Sequence, residues 1–168
     1  MNLTEVGRDG VAALLTGVLA WAAASDIRTR KIPNPSVLAV VGLFVGWTAL
    51  IGFAGLPQAL IAAAIAFVVS FALYNLKIVG AGDSKLFAAV ALFAGLDRLA
   101  QLTLLTGIVG GLIALFIMVT RPRRALVMLT MRGKGDFGDG IPYGVAIAAA
   151  AIVVVWTDLY FPHLLSLP

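Results

Sequence analysis

The sequence predicts an all-α membrane protein: a polytopic bundle of about six transmembrane helices, N-terminus outside, forming one domain over residues 1–168. Three observations carry that prediction. Hydrophobic residues make up 61% of the chain and charged residues only 12%, whereas a soluble domain is about half apolar and a quarter charged. The mean hydropathy is +1.05, and the apolar residues gather into runs near the roughly 20 that a spanning helix needs. The basic residues, finally, cluster on alternate connections between those runs, as the positive-inside rule requires.

The elements follow in order. A first helix is expected at 10–25, ending where Asp26, Arg28, Arg30 and Lys31 begin a polar connection. Its apolar run, closed by Ala22-Ala23-Ala24, has the outline of a secretory signal, but Glu5 and Asp9 outweigh Arg8 ahead of it. A signal peptide carries net positive charge there, so the segment reads as an anchored helix. A second helix is expected at 36–54, after Ile32-Pro33-Asn34-Pro35, where proline suits a first turn. The third, at 57–76, is separated from it by the tight turn Gly55-Leu56-Pro57.

A fourth helix is expected at 84–96 and a fifth at 99–120, because Asp97 and Arg98 interrupt a longer apolar run. The sixth, at 141–161, starts at Ile141-Pro142-Tyr143-Gly144 after the polar, glycine-rich stretch MRGKGDFGDG. This arrangement puts Arg28, Arg30, Lys31, Lys77, Lys85, Arg121, Arg123, Arg124, Arg132 and Lys134 inside, ten of the twelve basic residues. Only Arg8 and Arg98 fall outside. A re-entrant fourth segment would put the basic stretch 121–140 on the wrong side. The net charge of +4 therefore records topology, not nucleic acid binding. With no cysteine in the chain, disulfides, thiolate zinc sites and cysteine nucleophiles are excluded.

Among eight acidic residues, Glu5, Asp9, Asp97 and Asp158 fall at outer helix ends, and Asp136 and Asp139 in the glycine-rich stretch. Asp26 and Asp83 differ, each standing where an apolar helix meets an inner loop. Asp26 ends the first helix, where the dipole disfavours a negative charge; Asp83 begins the fourth, where free N–H groups favour one. If the two meet, repulsion lets one hold a proton while the other stays ionised. Such a pair can activate water as general base and polarise a peptide carbonyl as general acid. Gly80 and Gly82 before Asp83 allow positive φ and close backbone approach, here for an extended substrate. At about 20 Å, the fourth helix is short enough to draw Asp83 below the headgroups.

Each residue has a plainer reading. Asp83 alone is a good helix N-cap, Asp26 can balance Arg28 or Arg30, and Lys85 can snorkel as a topology signal. The prolines can be helix starts alone, His163 an outer-surface residue, and Trp21, Trp47 and Trp156 core or interfacial anchors.

The ordered combination resembles a known family. Asp26-Ile27-Arg28, Lys31-Ile32-Pro33-Asn34, Gly80-Ala81-Gly82-Asp83-Ser84-Lys85-Leu86 and Ile141-Pro142-Tyr143-Gly144 resemble the type IV prepilin peptidases, membrane aspartyl proteases with a Gly-x-Gly-Asp signature. That resemblance implies Asp26 and Asp83 as the catalytic pair. It implies supporting or substrate-binding roles for Arg28, Pro33, Asn34, Gly80, Gly82, Lys85, Pro142, Tyr143 and Gly144, with no metal and no cofactor.

The implied substrates are prepilins and pseudopilins, cut after a glycine to release a short basic leader. Their apolar helix would rest in the lipid bilayer against the bundle. The implied location is the inner (cytoplasmic) membrane, with the site facing the cytoplasm and pilus assembly machinery as a partner. Bifunctional members carry a cysteine-containing insert that methylates the new N-terminus. This chain has only a short first loop and no cysteine, so it is similar to the short peptidases of tight-adherence (Flp-type) systems, ahead of archaeal preflagellin peptidases. Presenilin-like proteases also use Gly-x-Gly-Asp, but their Pro-Ala-Leu motif is absent. A small transporter or non-catalytic assembly subunit would use the aspartates to bind a proton or cation instead.

Overall fold

The computed structural model describes residues 3–120 and 142–161. These form α1 (Leu3–Thr29), α2 (Asn34–Ile51), α3 (Leu56–Asn75), α4 (Ala81–Thr120) and α5 (Tyr143–Tyr160), with no strand among the described residues. Every helix is long and apolar enough to cross a membrane. The chain is a polytopic helical membrane protein. The expected basic connection 121–140, Ile141 and His163 lie outside the described residues.

Five helices are thus assigned where six were expected, because 84–96 and 99–120 run on as α4. The run is broken at Gly95, whose φ of 61° and ψ of −174° are not helical. A straight 40-residue helix would be about 60 Å long and would hold Gly82 about 42 Å from Gly110. Instead, a Cβ on Gly82 would stand 3.1 Å from Ile32 Cβ, one on Gly144 2.9 Å from Ile32 Cδ1, and one on Gly110 3.2 Å from the Tyr143 ring. Residue 110 therefore meets the start of α5 directly and residue 82 is joined to it through Ile32, so the chain doubles back at Gly95. Near that bend Arg98 Nη2 pairs with Asp158 Oδ1 at 2.6 Å, towards the far end of α5.

The other boundaries shift for local reasons. α1 starts at Leu3 instead of residue 10, since polar side chains near a helix end do not forbid helix; Arg8 there stacks over Trp47, 5.4 Å from the ring centroid. α2 stops at Ile51 instead of 54 because Gly52 takes φ 92° and returns its N–H to the Thr48 carbonyl at 2.9 Å. Pro35 and Pro57 sit in the first turns of α2 and α3, where no N–H is missed. α3 ends with Lys77 at φ 57°. The Ile78 N–H bonds Leu73 O at 3.0 Å and the Lys77 N–H bonds Tyr74 O at 2.9 Å, the paired bonds of a left-handed helix stop.

α5 packs against α1 and α4, and α4 also carries α3 and α2, with α2 reaching α1 as well. The buried face of α5 combines the small residues Gly144, Ala146, Ala148, Ala150 and Ala151 with Ile147, Val154 and Val155. Small side chains let helices approach closely where lipid supplies no hydrophobic contrast. Trp156 crosses to α1, donating its indole N–H to Thr16 Oγ1 at 3.0 Å. Of the other tryptophans, Trp47 is buried beside Phe93 and Trp21 is half-exposed.

Candidate active site

Asp26 lies in the last turn of α1, buried at 6% exposure. The helix stops just beyond it: Arg30 takes φ 55° and returns its N–H to the Asp26 carbonyl at 3.0 Å. Ser25 Oγ then ties the turn by donating to Lys31 O at 2.9 Å. The side chain of Asp26 points to a different helix. Its Oδ2 accepts the Gly144 N–H at 2.9 Å. The capping position of α5 is Pro142, which offers no side-chain cap. Asp26 supplies that cap across the bundle, so the positive end of the α5 dipole faces its carboxylate. Gly144 is what permits the contact, since a Cβ there would stand 2.9 Å from Asp26 Oδ2.

Asp83 lies in the first turn of α4. The plain N-cap reading places it wrongly: the helix begins at Ala81, so Asp83 is the third helical residue and Gly80 the cap. Asp83 Oδ2 reaches back to accept the Gly80 N–H at 3.3 Å, one half of a capping box. Its Oδ1 is buried and has no hydrogen-bond partner among the described residues.

Neither Gly80 nor Gly82 has positive φ. Their missing side chains serve close approach within the chain: a Cβ on Gly80 would stand 2.9 Å from Asp83 Oδ2, and one on Gly82 3.1 Å from Ile32 Cβ.

The two carboxylates stand at the same end of the bundle, each at a helix N-terminus, and the charge of Asp26 acts on Asp83. Ile32 is wedged between their supports, against Gly82 on one side and Gly144 on the other. Arg30 acts on Asp26 through its charge. Arg28 is exposed, with no hydrogen bond or ion pair among the described residues.

Lys85 Nζ donates to Asn34 Oδ1 at 3.4 Å, linking α4 to the start of α2. The Pro33 carbonyl accepts the Ser36 N–H at 3.0 Å and the Ser36 hydroxyl at 2.7 Å, fixing that start. Buried Pro142 opens α5, its carbonyl accepting the Val145 N–H at 3.2 Å, and Tyr143 packs on Gly110.

Sequence reasoning missed three things. It did not see that Asp26 caps α5, that Ile32 spaces the two motifs, or that Gly110 receives Tyr143. The first two had a signal, the conjunction of Ile32 and Gly144 with the aspartate; the third had none, being one glycine in an apolar run. No group of three or more histidine, cysteine, aspartate or glutamate side chains that would hold a metal ion occurs among the described residues.

The model of the type IV leader peptidase family matches residues 13–115, more than half of the chain. The chain belongs to that family. Membership indicates a protease and, at family level, a leader-peptidase function on prepilin-type substrates. Asp26 and Asp83 both fall inside the matched segment, whereas Tyr143 and Gly144 lie beyond it. No match was found to a curated protein or to a solved structure.

Proposed function

We propose that this family member is an aspartic endopeptidase of the inner membrane, with Asp26 and Asp83 as its catalytic pair at the cytoplasmic face. It removes the short basic leader of Flp-type and related prepilins and pseudopilins. The observation that carries the reading is the convergence of the pair: two carboxylates from distant helices, at one end of the bundle, each against a helix N-terminus.

In the reaction, the ionised carboxylate takes a proton from a water molecule as the water oxygen attacks the scissile carbonyl carbon. The protonated partner donates to the carbonyl oxygen. When the tetrahedral adduct collapses, the C–N bond breaks and the leaving amine takes up a proton from the pair. Water is consumed and the enzyme is restored. Backbone donors fixed at helix N-termini need no reorganisation as charge shifts between the two groups. The substrate's apolar helix lies in the bilayer beside the bundle, and its leader crosses the pair.

The test is purified protein in liposomes with an Flp-type prepilin, the product read by mass spectrometry. A cut directly after a glycine, releasing the basic leader, is the expected product. An uncut pilin under conditions where the protein is folded would favour an ion-binding or assembly role for the aspartates.

A further inference from the structure

A pair of buried serines joins α3 to α4 directly beside Asp83. Ser84, in the first turn of α4, is 3% exposed, and Ser70, near the end of α3, is 5% exposed. Ser84 Oγ stands 3.1 Å from the Ser70 carbonyl oxygen and 3.1 Å from the Gly80 carbonyl oxygen. A hydroxyl has one proton, so this is a single donor shared between the two acceptors. Ser70 Oγ is placed differently. Its nearest acceptor is Ala66 O in its own helix, at 2.6 Å, while Ser84 O is 3.4 Å away. The Ser70 proton is thus spent mainly within α3, and the Ser84 proton on the link between helices.

That link ends at the carboxylate. The Gly80 carbonyl accepts both the Ser84 backbone N–H and the Ser84 hydroxyl at 3.1 Å, of which only the hydroxyl also reaches α3, and the Gly80 N–H donates to Asp83 Oδ2. The order runs from the α3 backbone, through the Ser84 hydroxyl and the Gly80 peptide units, to Asp83. The second carboxylate oxygen of Asp83 has no hydrogen-bond partner among the described residues. We propose that Ser84 is a positioning residue for Asp83, its hydroxyl anchoring the Gly80 turn to the α3 backbone so that the carboxylate is held at the reacting geometry. The inference rests on the reading of Asp83 as half of the catalytic pair.

The test uses purified wild type, Ser84→Ala, Ser70→Ala and Asp83→Asn in liposomes, with kcat and KM for one Flp-type prepilin. A misplaced catalytic group costs rate, so Ser84→Ala should lower kcat about ten- to a hundredfold with KM changed by less than about twofold. Ser70→Ala keeps the acceptor carbonyl, and its loss of kcat should stay below about threefold. Two results overturn the proposal: kcat within about twofold of wild type in Ser84→Ala, or an equal loss in Ser70→Ala, which would make the pair ordinary helix packing. If Ser84→Ala does not accumulate, Ser84→Cys keeps the volume with a weaker donor and carries the same two outcomes. Activity in Asp83→Asn is a separate failure, that of the catalytic reading itself, and the Ser84 inference falls with it.

Discussion

The Gly144 N–H donates to the Asp26 carboxylate at 2.9 Å, joining the last turn of α1 to the first turn of α5. The same carboxylate that is proposed to do chemistry therefore also caps a helix. These two roles separate in mutants, because capping needs an oxygen acceptor and proton transfer needs an acid.

Asp26→Asn keeps a side-chain oxygen and should fold like wild type, since asparagine caps as well as aspartate. Asp26→Ala should lose about 0.5–2 kcal/mol of stability, the usual cost of removing a cap. Thermal unfolding of both variants in the same detergent gives the comparison. Equal stability of Ala and Asn variants would mean that the α5 N-terminus does not depend on Asp26.

Gly144→Ala tests the approach of the carboxylate. The new methyl would stand 2.9 Å from Asp26 Oδ2 and 3.1 Å from its Cγ, so the aspartate must move. Displacement of a reacting group by about 1 Å can cost about a hundredfold, and the expected loss in kcat/KM is at least about tenfold. Near-normal cleavage by a folded Gly144→Ala enzyme would show that Asp26 can work from another position.

Gly82→Ala should act through a neighbour. Its methyl would meet Ile32 Cβ at 3.1 Å, pushing apart the two motifs that carry the carboxylates. Reduced cleavage is expected, with partial recovery in Gly82→Ala/Ile32→Gly, where the Cβ that the methyl meets is gone. A double mutant no better than Gly82→Ala would assign the glycine a different role. The cycle of single and double mutants measures that coupling directly.

Cleavage by a carboxylate pair proceeds without metal. Assays in excess chelator should run at the uninhibited rate, and divalent ions added afterwards should change nothing. Loss of activity on chelation, restored by one such ion, would contradict the pair mechanism.

Much of this fold was legible because the bilayer enforces a simple code. Apolar runs of spanning length must be helices, and α2, α3 and α5 lie within a few residues of their expected bounds. Asp26 and Asp83 stood out because carboxylates are costly beside lipid. What the sequence hid was contact across distance. Around Asp26 the clue to the helix it caps was Gly144 alone, because the donor is a backbone N–H, which every residue type but proline carries.

The fold-back of α4 was announced by Asp97 and Arg98, but the residue that turns is Gly95, whose left-handed φ carries no hydropathy signal. The roles of Gly80 and Gly82 were half legible. Their lack of a side chain was the right clue, yet what comes close is the protein's own Asp83 and Ile32.

Asp26 and Asp83 are proposed to act together as one proteolytic pair. The most direct measurement co-expresses an Flp-type prepilin with wild type, Asp26→Asn or Asp83→Asn, at equal membrane levels, and follows pilin shortening on a gel. A shortened pilin is expected with wild type and full-length pilin with each single mutant. Cleavage that survives both substitutions would contradict the proposal and return the two aspartates to structural or ion-binding roles.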